Sequence, residues 1–359
     1  MSKYYSVIKS TGSYIPTKVV KNSDFLNNTF YDSTGNIINI SNEELIEKFH
    51  KITNISERRY LTDELVTSDL AYFSAKNAIE SANIDPEKLD YIILAHNFGD
   101  VKSGNTYSDL VPSLAARVKN KLKIKNPFTV AYDIIFGCPG WLQGVIQADY
   151  YIKSGDAKLI LVIGAEALSR VSDLHDRDSM IYSDGAGAIV LEAMQSDEPI
   201  GILSHISRSD TYTESNYLWM DTSYNPDKKD FGIYLKMNGR KLYEYALNNV
   251  PLLVKQCIEK AKLTIDKVSK VLLHQANEKM DEAILQRVFS LFNINKIPDG
   301  IMPMIINKLG NSSVATIPIL LDLILKGMLP SHKISSGENI VLASVGAGMN
   351  INTLVYRTI

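Results

Sequence analysis

The sequence predicts an α/β fold. Short apolar runs alternate with longer stretches whose apolar residues recur every three and four positions. Two parts of the chain also repeat the same three features in the same order. Hydrophobic residues make up 45% of the 359 residues, and the formal net charge is −2. That share suits a large packed core and is too high for a disordered chain. A charge this close to zero leaves no electrostatic footprint for nucleic acid. The two cysteines cannot form a disulfide framework or a four-thiolate zinc site. No phosphate-loop pattern and no ligand-spaced Cys/His cluster occurs, so no cofactor is expected.

The opening segment, MSKYYSVIKSTGSYIP, does not read as a signal peptide, because Lys3, Lys9 and Ser10 interrupt its apolar residues. No run of about 18 apolar residues follows. The expectation is a soluble cytoplasmic protein with reduced thiols. Residues 27–43 are rich in Asn, Ser and Thr and break the alternation. Helical spacing covers 67–82, and LDYIILA at 89–95 is a buried strand. A helix over 140–154 precedes strands over 158–163 and 187–192. Residues 207–230 are polar again, with Tyr212, Tyr217, Trp219 and Tyr224 interspersed. Both polar stretches suit either a surface loop or a loop that covers substrate. Helices over 242–262, 278–293 and 315–326 and strands over 268–273 and 339–343 complete the pattern.

The repeat pairs IDPEKLDYIILAH (84–96) with IDKVSKVLLH (265–274). Each ends a strand in His, at His96 and His274. A small-residue turn and a helix follow each copy: Gly137-Cys138-Pro139-Gly140 and Gly310-Asn311-Ser312-Ser313. Each copy then reaches a strand ending in small residues, Gly164-Ala165 and Gly346-Ala347-Gly348. A duplicated chain would divide near residue 195, into halves 1–195 and 196–359, and would bring the two turns together.

Four features offer chemistry. Cys138 stands at the start of a helix, where unpaired N–H groups favour a thiolate. Pro139 suits a first helical position. Position alone leaves a nucleophile and an inert thiol both open, whereas Cys257 lies inside a helical pattern and reads as core. His274 ends an apolar strand, where α/β proteins place catalytic groups, although a lone His is more often structural. Asn311 suits a site residue or a helix N-cap. The Gly346-Ala347-Gly348 turn can aim N–H groups at an oxyanion.

In combination, these features resemble the β-ketoacyl-acyl-carrier-protein synthase III family of thiolase-like condensing enzymes. SVIKSTGSYIPTKVVKN, ISERRY, the Cys138 turn, YYIKSGDAKLILVIGAEALSR, DRDSMIYSDGAGAIVLEA, KMNGRKLYEYA, LLHQAN, LGNSSVATIP and SVGAGM stand in the family's order from about residue 5 to 357. The resemblance implies a duplicated αβαβα sandwich and a homodimer. It implies that Cys138 takes an acyl group from an acyl-coenzyme A or acyl-carrier donor. A malonyl thioester on acyl carrier protein then loses carbon dioxide and attacks. His274 and Asn311 match the pair that stabilises the enolate, and the N–H groups of Cys138 and Ala347 match the oxyanion hole. Ala347 can serve only with a negative φ. Acyl transfer to a hydroxyl or amine without decarboxylation is the alternative; it needs neither His274 nor Asn311. A non-catalytic partner subunit would usually lack Cys138.

The departures concern the donor. The family's coenzyme A clamp uses a Trp and an Arg, and residues 47–53 contain neither. Arg177 survives from that set. The carrier-docking Arg is Lys279 here, which keeps the charge and loses the bidentate fork. Lys119, Lys121, Lys123 and Lys125 suit either a solvated face or a dock for an acidic carrier.

Overall fold

The computed structural model describes residues 3–228 and 232–359. The first part of the chain runs β1 (Lys3–Tyr14), β2 (Lys18–Lys21), α1 (Asn42–Thr53), β3 (Glu57–Tyr60) and α2 (Thr67–Ser81). It continues with β4 (Tyr91–Ala95), α3 (Leu114–Lys121), β5 (Val130–Ile134), α4 (Gly140–Ser154), β6 (Leu159–Ala167) and β7 (Asp184–Ser196). The second part runs β8 (Gly201–Ser209), β9 (Leu218–Asp221), β10 (Tyr234–Met237), α5 (Gly239–Lys260), β11 (Val268–Leu273) and α6 (Glu278–Leu291). It ends with α7 (Ile306–Leu309), α8 (Thr316–Leu325), β12 (Asn339–Gly346) and β13 (Asn350–Arg357).

Two sheets share one plan. The first has strand order β1-β7-β6-β4-β5, and the second has order β8-β13-β12-β11. In each, the first two pairings are antiparallel and the next is parallel. The repeated sequence features fall on matching strands: His96 follows β4 and His274 follows β11, while Gly164 lies on β6 and Gly346 on β12. Helices α4 and α8 lie between the sheets in one apolar core. On the outer faces, α2 and α3 cover the first sheet and α5 and α6 the second. The result is five layers, αβαβα. Among the described residues, no helix is long and apolar enough to cross a membrane.

The helices and strands read from periodicity are present, with ends shifted by a few residues. The structure adds β1, which apolar periodicity does not reveal. Its polar residues Ser6 and Thr11 face inward and are satisfied there. Ser6 donates to the buried carboxylate of Asp149 on α4 at 2.7 Å, and Thr11 donates to that of Asp322 on α8 at 2.6 Å. Each carboxylate also meets a lysine one turn on, Lys153 and Lys326. The two central helices therefore hold β1 by matching hydrogen bonds.

Close packing explains the glycines of β7. A Cβ on Gly187 would lie 2.6 Å from Pro318 Cβ and 2.7 Å from Ile319 N on α8. Gly187→Ala is therefore expected to lift α8 from the sheet and to cost about 1–3 kcal/mol. Urea denaturation checks this; an unchanged midpoint would show that α8 does not depend on that contact.

Candidate active site

Two turns from distant parts of the chain meet at Cys138. This residue joins β5 to α4, and its side chain is partly exposed. Gly137 adopts φ +64°, and its carbonyl accepts the Gly140 N–H at 3.0 Å. Pro139 is the N-cap of α4, one position earlier than the expected first helical residue. The turn after β12 presses on this one from the other sheet. A Cβ on Gly346 would sit 2.5 Å from Cys138 N, and a Cβ on Gly137 would sit 2.8 Å from Ala347 N. Glycine alone permits that backbone approach. Ala347 is not a positive-φ residue, so the condition on its use as a donor holds.

The second turn brings Asn311 and Ser313. The Ser313 hydroxyl lies 3.5 Å from Cys138 Sγ. Asn311 is buried, and its Oδ1 accepts the Ser313 N–H at 2.8 Å. This engages the oxygen end of the amide and leaves the nitrogen end to donate. Asn311 is not the cap of α8, whose N-cap is Ala315. Its backbone is pinned instead: its N–H donates to Ile181 O at 3.0 Å, and its carbonyl accepts from Ser183 N at 2.8 Å.

The ISERRY motif holds that segment. Arg58 is fully buried and donates to Met180 O from Nε at 3.1 Å and from Nη2 at 2.7 Å. Its Nη2 also donates to Asn22, and the guanidinium stands 4.9 Å from the centre of the Phe25 ring. Burial pushes its pKa down to about 10. Beside it, Gly310 turns the chain at φ +59°.

The β11–β12 pairing sets His274. Its N–H donates to Ala343 O at 2.9 Å, three residues before Gly346. Gln275, next in the chain, is fully buried; it donates to Pro303 O and accepts the N–H groups of Ile305 and Ile306. It thereby ties the end of β11 to α7, which leads directly to Gly310 and Asn311.

Burial keeps the ionisable groups of the site neutral. His274 has no partner for Nδ1 among the described residues, and burial pushes its pKa down to about 4. Burial pushes the Cys138 thiol up to about 11; hydrogen bonding from Ser313 opposes this, and the charge of Glu166 adds to it. Burial here opposes the thiolate that the helix N-terminus favours. Cys257 is buried in the second sheet's outer core, as expected, beside Ser204. Among the described residues, no group of three or more His, Cys, Asp or Glu is arranged to hold a metal ion.

A cavity of about 1030 Å³ is lined by residues from segments 31–53, 176–181 and 219–240 and by Asn277. Its walls include Ile181, whose carbonyl accepts the Asn311 N–H, and Asn277, three residues beyond His274. Cys138, His274 and Asn311 themselves are not among its walls. Both polar stretches are. Tyr31, Ile37 and Ile40 come from residues 27–43, and Trp219 and Tyr224 from residues 207–230. Lys229 and Asp230 of the latter stretch lie outside the described residues. Tyr212 is exposed and takes no part in the wall. Arg177 lines the cavity with Lys48 and Arg240, whereas Lys279 stands exposed on α6, outside it. Lys119 and Lys121 are engaged within the fold: Lys119 donates to the carbonyls of Asn126 and Thr129, and Lys121 pairs with Asp69. Reading the sequence misses Ser313, which contacts the Cys138 sulfur, and Asn97, which hydrogen-bonds both Ser313 and the buried Glu166. The available signal was a glutamate inside the apolar run LILVIGAEA.

A five-layer duplicated fold with a cysteine turn, a histidine strand end and an asparagine turn at its centre defines a thiolase-like condensing enzyme. The 3-oxoacyl-[acyl-carrier-protein (ACP)] synthase III family matches residues 132–211, and the C-terminal part of that family matches 258–358. The β-ketoacyl-[acyl-carrier-protein] synthase III of Staphylococcus aureus (strain Newman) is 33% identical over 351 residues, covering 98% of each chain. The crystal structure of the 3-oxoacyl-[acyl-carrier-protein] synthase III from Aquifex aeolicus VF5 is 30% identical, with a TM-score of 0.77 over 98% of this chain and 99% of that one. The priming β-ketosynthase of the R1128 polyketide pathway, 23% identical, shares the fold with a TM-score of 0.79 over 99% of this chain and 97% of that one. The chain belongs to the β-ketoacyl-ACP synthase III family and is an acyltransferase-class condensing enzyme.

The low pKa of His274 has a consequence for stability. On acidification the unfolded chain protonates this residue near pH 6.5, and the folded chain does so only near pH 4. Stability from this source is full above pH 6.5 and is lost as pH falls toward 4, by about 3 kcal/mol. His274→Gln should remove that component. Denaturation of both proteins across this range checks it; parallel curves would show that His274 is not desolvated.

Proposed function

We propose that Cys138 carries the acyl group of the synthase III condensation and that His274 and Asn311 stabilise the attacking enolate. The observation that supports this best is the path from Cys138 Sγ through Ser313 to the Asn311 amide, across 175 residues of sequence. In the first stage the thiol sulfur attacks a donor thioester. The thiol gives up its proton to solvent as the Sγ–C bond forms and the donor's C–S bond breaks, and the donor thiolate leaves and takes up a proton. In the second stage malonyl thioester on acyl carrier protein loses carbon dioxide. The ring N–H of His274 and the amide N–H of Asn311 hold the enolate oxygen. A neutral donor pair suits this species, because it stabilises charge without surrendering a proton to carbon. The carbanion attacks the acyl-cysteine, and the N–H groups of Cys138 and Ala347 receive the tetrahedral oxyanion; its collapse breaks the C–Sγ bond and releases the Cys138 sulfur, which takes a proton from solvent. Each such donor is worth roughly 3–4 kcal/mol.

The cavity is the route by which the thioester arm reaches Cys138, with Arg177 at its wall for the phosphate of the arm. Lys279, exposed on α6, faces an acidic carrier from outside. Residues 47–53 lack a Trp and an Arg, while the cavity is walled by Ile37, Ile40, Phe49 and Met237. This favours a carrier-bound or longer acyl donor over acetyl-coenzyme A, in fatty acid or polyketide biosynthesis. Residues 1–195 and 196–359 are the two related halves that share the site. The expected setting is the cytoplasm, where the thiol stays reduced.

The chain is also proposed to be a homodimer. β5 is an open edge of the first sheet, with Phe128 and Ile135 exposed beside its two ends. An unpaired edge with an apolar margin needs cover, and a second copy supplies it. A monomeric mass by light scattering at micromolar concentration would overturn this.

Incubation with a panel of acyl-coenzyme A and acyl-carrier donors, followed by intact-protein mass spectrometry, tests the assignment. The wild-type chain should gain one acyl mass at Cys138, and Cys138→Ala should gain none. Asn311→Ala should still load but condense about 10²–10³-fold more slowly. An adduct on Cys138→Ala sinks the mechanism, and efficient loading from acetyl-coenzyme A alone sinks the donor preference.

A further inference from the structure

Among the described residues, Ser313 is the one side chain in hydrogen-bond contact with the Cys138 sulfur, and it takes no part in the steps above. Its hydroxyl donates to Sγ at 3.5 Å. The same hydroxyl accepts from the Asn97 amide at 3.3 Å, and the Ser313 backbone N–H donates to Asn311 Oδ1 at 2.8 Å. Asn97 is held in turn by Glu166, a fully buried acid on β6. The Asn97 amide donates to Glu166 Oε2 at 2.6 Å, and the Asn97 backbone N–H donates to Oε1 at 3.3 Å. Ser313 also holds a positive φ of 53°, a conformation uncommon for serine. Backbone strain of this kind persists where the surroundings over-determine it.

We propose that Ser313 is a further catalytic residue, whose hydroxyl stabilises the negative charge on the Cys138 sulfur during loading and again when condensation expels that sulfur. This rests on Cys138 being the acyl-carrying residue. The direction of the hydrogen bond follows from the donors and acceptors present. Both N–H bonds of the Asn97 amide are used, one on Glu166 and one on Ser313, and a turned amide would set its oxygen against the Glu166 carboxyl. The Ser313 oxygen is thereby an acceptor on one side, and its single proton is left for the sulfur. No proton passes along this string. Ser313 keeps its hydrogen while the thiol proton goes to solvent in loading, and while the expelled sulfur takes a proton from solvent in condensation. Asn97 is a positioning residue, since it acts on the sulfur only through the hydroxyl.

The sulfur needs such a donor. Burial pushes the thiol up to about 11, and the charge of Glu166 adds to that. The other titratable group that feels the sulfur is Tyr182, just before β7, which supplies no positive charge. His274 is neutral, with its pKa pushed down to about 4. A hydrogen bond to an ionised acceptor is roughly twice as strong as one to a neutral acceptor. The Ser313 bond therefore strengthens as the sulfur gains charge and weakens once the sulfur carries the acyl group. A difference of that kind lowers the barrier rather than the resting state. The same residue holds the amide oxygen of Asn311, so the nucleophile and the enolate donor are both placed from one point of the turn.

The sulfur can be read directly, because the thiolate is the form that alkylates. Alkylation of Cys138 by iodoacetamide is followed by mass spectrometry from pH 7 to 10 in the wild type, Ser313→Ala, Ser313→Gly and Asn97→Ala. Both Ser313 variants should alkylate about tenfold more slowly than the wild type, with their rate curves displaced upward by about one pH unit. Glycine accepts a positive φ without strain, so a purely backbone role would spare Ser313→Gly and slow only Ser313→Ala. Asn97→Ala keeps the hydroxyl but frees it to turn, and should slow alkylation by about threefold. Loading from an acyl donor should fall in the same order. Alkylation at the wild-type rate in both Ser313 variants overturns the proposal, as does a loss confined to Ser313→Ala. An absent acyl adduct on the wild type, with the alkylation difference intact, overturns the acyl-carrying role of Cys138 and the catalytic role of Ser313 with it.

Discussion

The site depends on a contact that side chains would forbid. Gly346 lies against Cys138 so closely that a single added carbon would fall 2.5 Å from the Cys138 nitrogen. Gly137 stands in the same relation to Ala347. Two backbones from different sheets therefore lie in contact, and the N–H groups proposed for the oxyanion come from those two backbones. The separation between such groups cannot drift, because each belongs to a turn anchored on a sheet. Preorganisation of this kind is what makes an N–H donor effective when charge develops. The Arg58 clamp does the same for the Asn311 side, holding the 180–183 segment against which the asparagine backbone is pinned.

Dryness follows from the same packing. Burial pushes Cys138 up to about 11, His274 down to about 4 and Glu166 up to about 7. Each shift favours the neutral form. A reaction that passes through an enolate and two oxyanions gains from this, since neutral dipoles in a low-dielectric site act on each new charge with little competition from water. The cost is a thiol that resists ionisation, and the helix N-terminus alone does not overcome it.

Much of the plan was legible in the sequence, because packing between two sheets leaves a periodic trace. The strands at 268–273 and 339–343 and the helix at 140–154 follow from apolar spacing. Cys138, His274 and Asn311 stand out because each is a chemically distinctive residue at the end of an element. β1 was illegible for the opposite reason: Ser6 and Thr11 are buried, and the carboxylates that satisfy them lie 143 and 311 residues away. Ser313 and Asn97 look like ordinary turn residues in sequence, and only the fold places them beside a buried acid. At Cys138 the helix N-terminus is visible in sequence, while the burial that opposes a thiolate is not.

The cavity wall obeys different rules from the catalytic centre. Residues 207–230 have little apolar periodicity, so hydrophobic burial alone does not hold them. Lys236 does much of that work. It is fully buried, 2.6 Å from Asp173 and 3.4 Å from Asp176, with its ammonium 3.4 Å from the centre of the Tyr224 ring. Asp173 also accepts from Ser223 and from the Tyr224 N–H. A buried ion pair is a poor source of net stability but a strict geometric device, because a misplaced partner leaves a charge unpaired. Here it fixes the face that Tyr224 and Trp219 present to the cavity. The catalytic turns tolerate little change, since their contacts are between backbones. The walls are built from side chains on polar stretches, which can be replaced without moving those turns. The wall at residues 47–53 can thus vary while the turns at Cys138 and Asn311 stay in place.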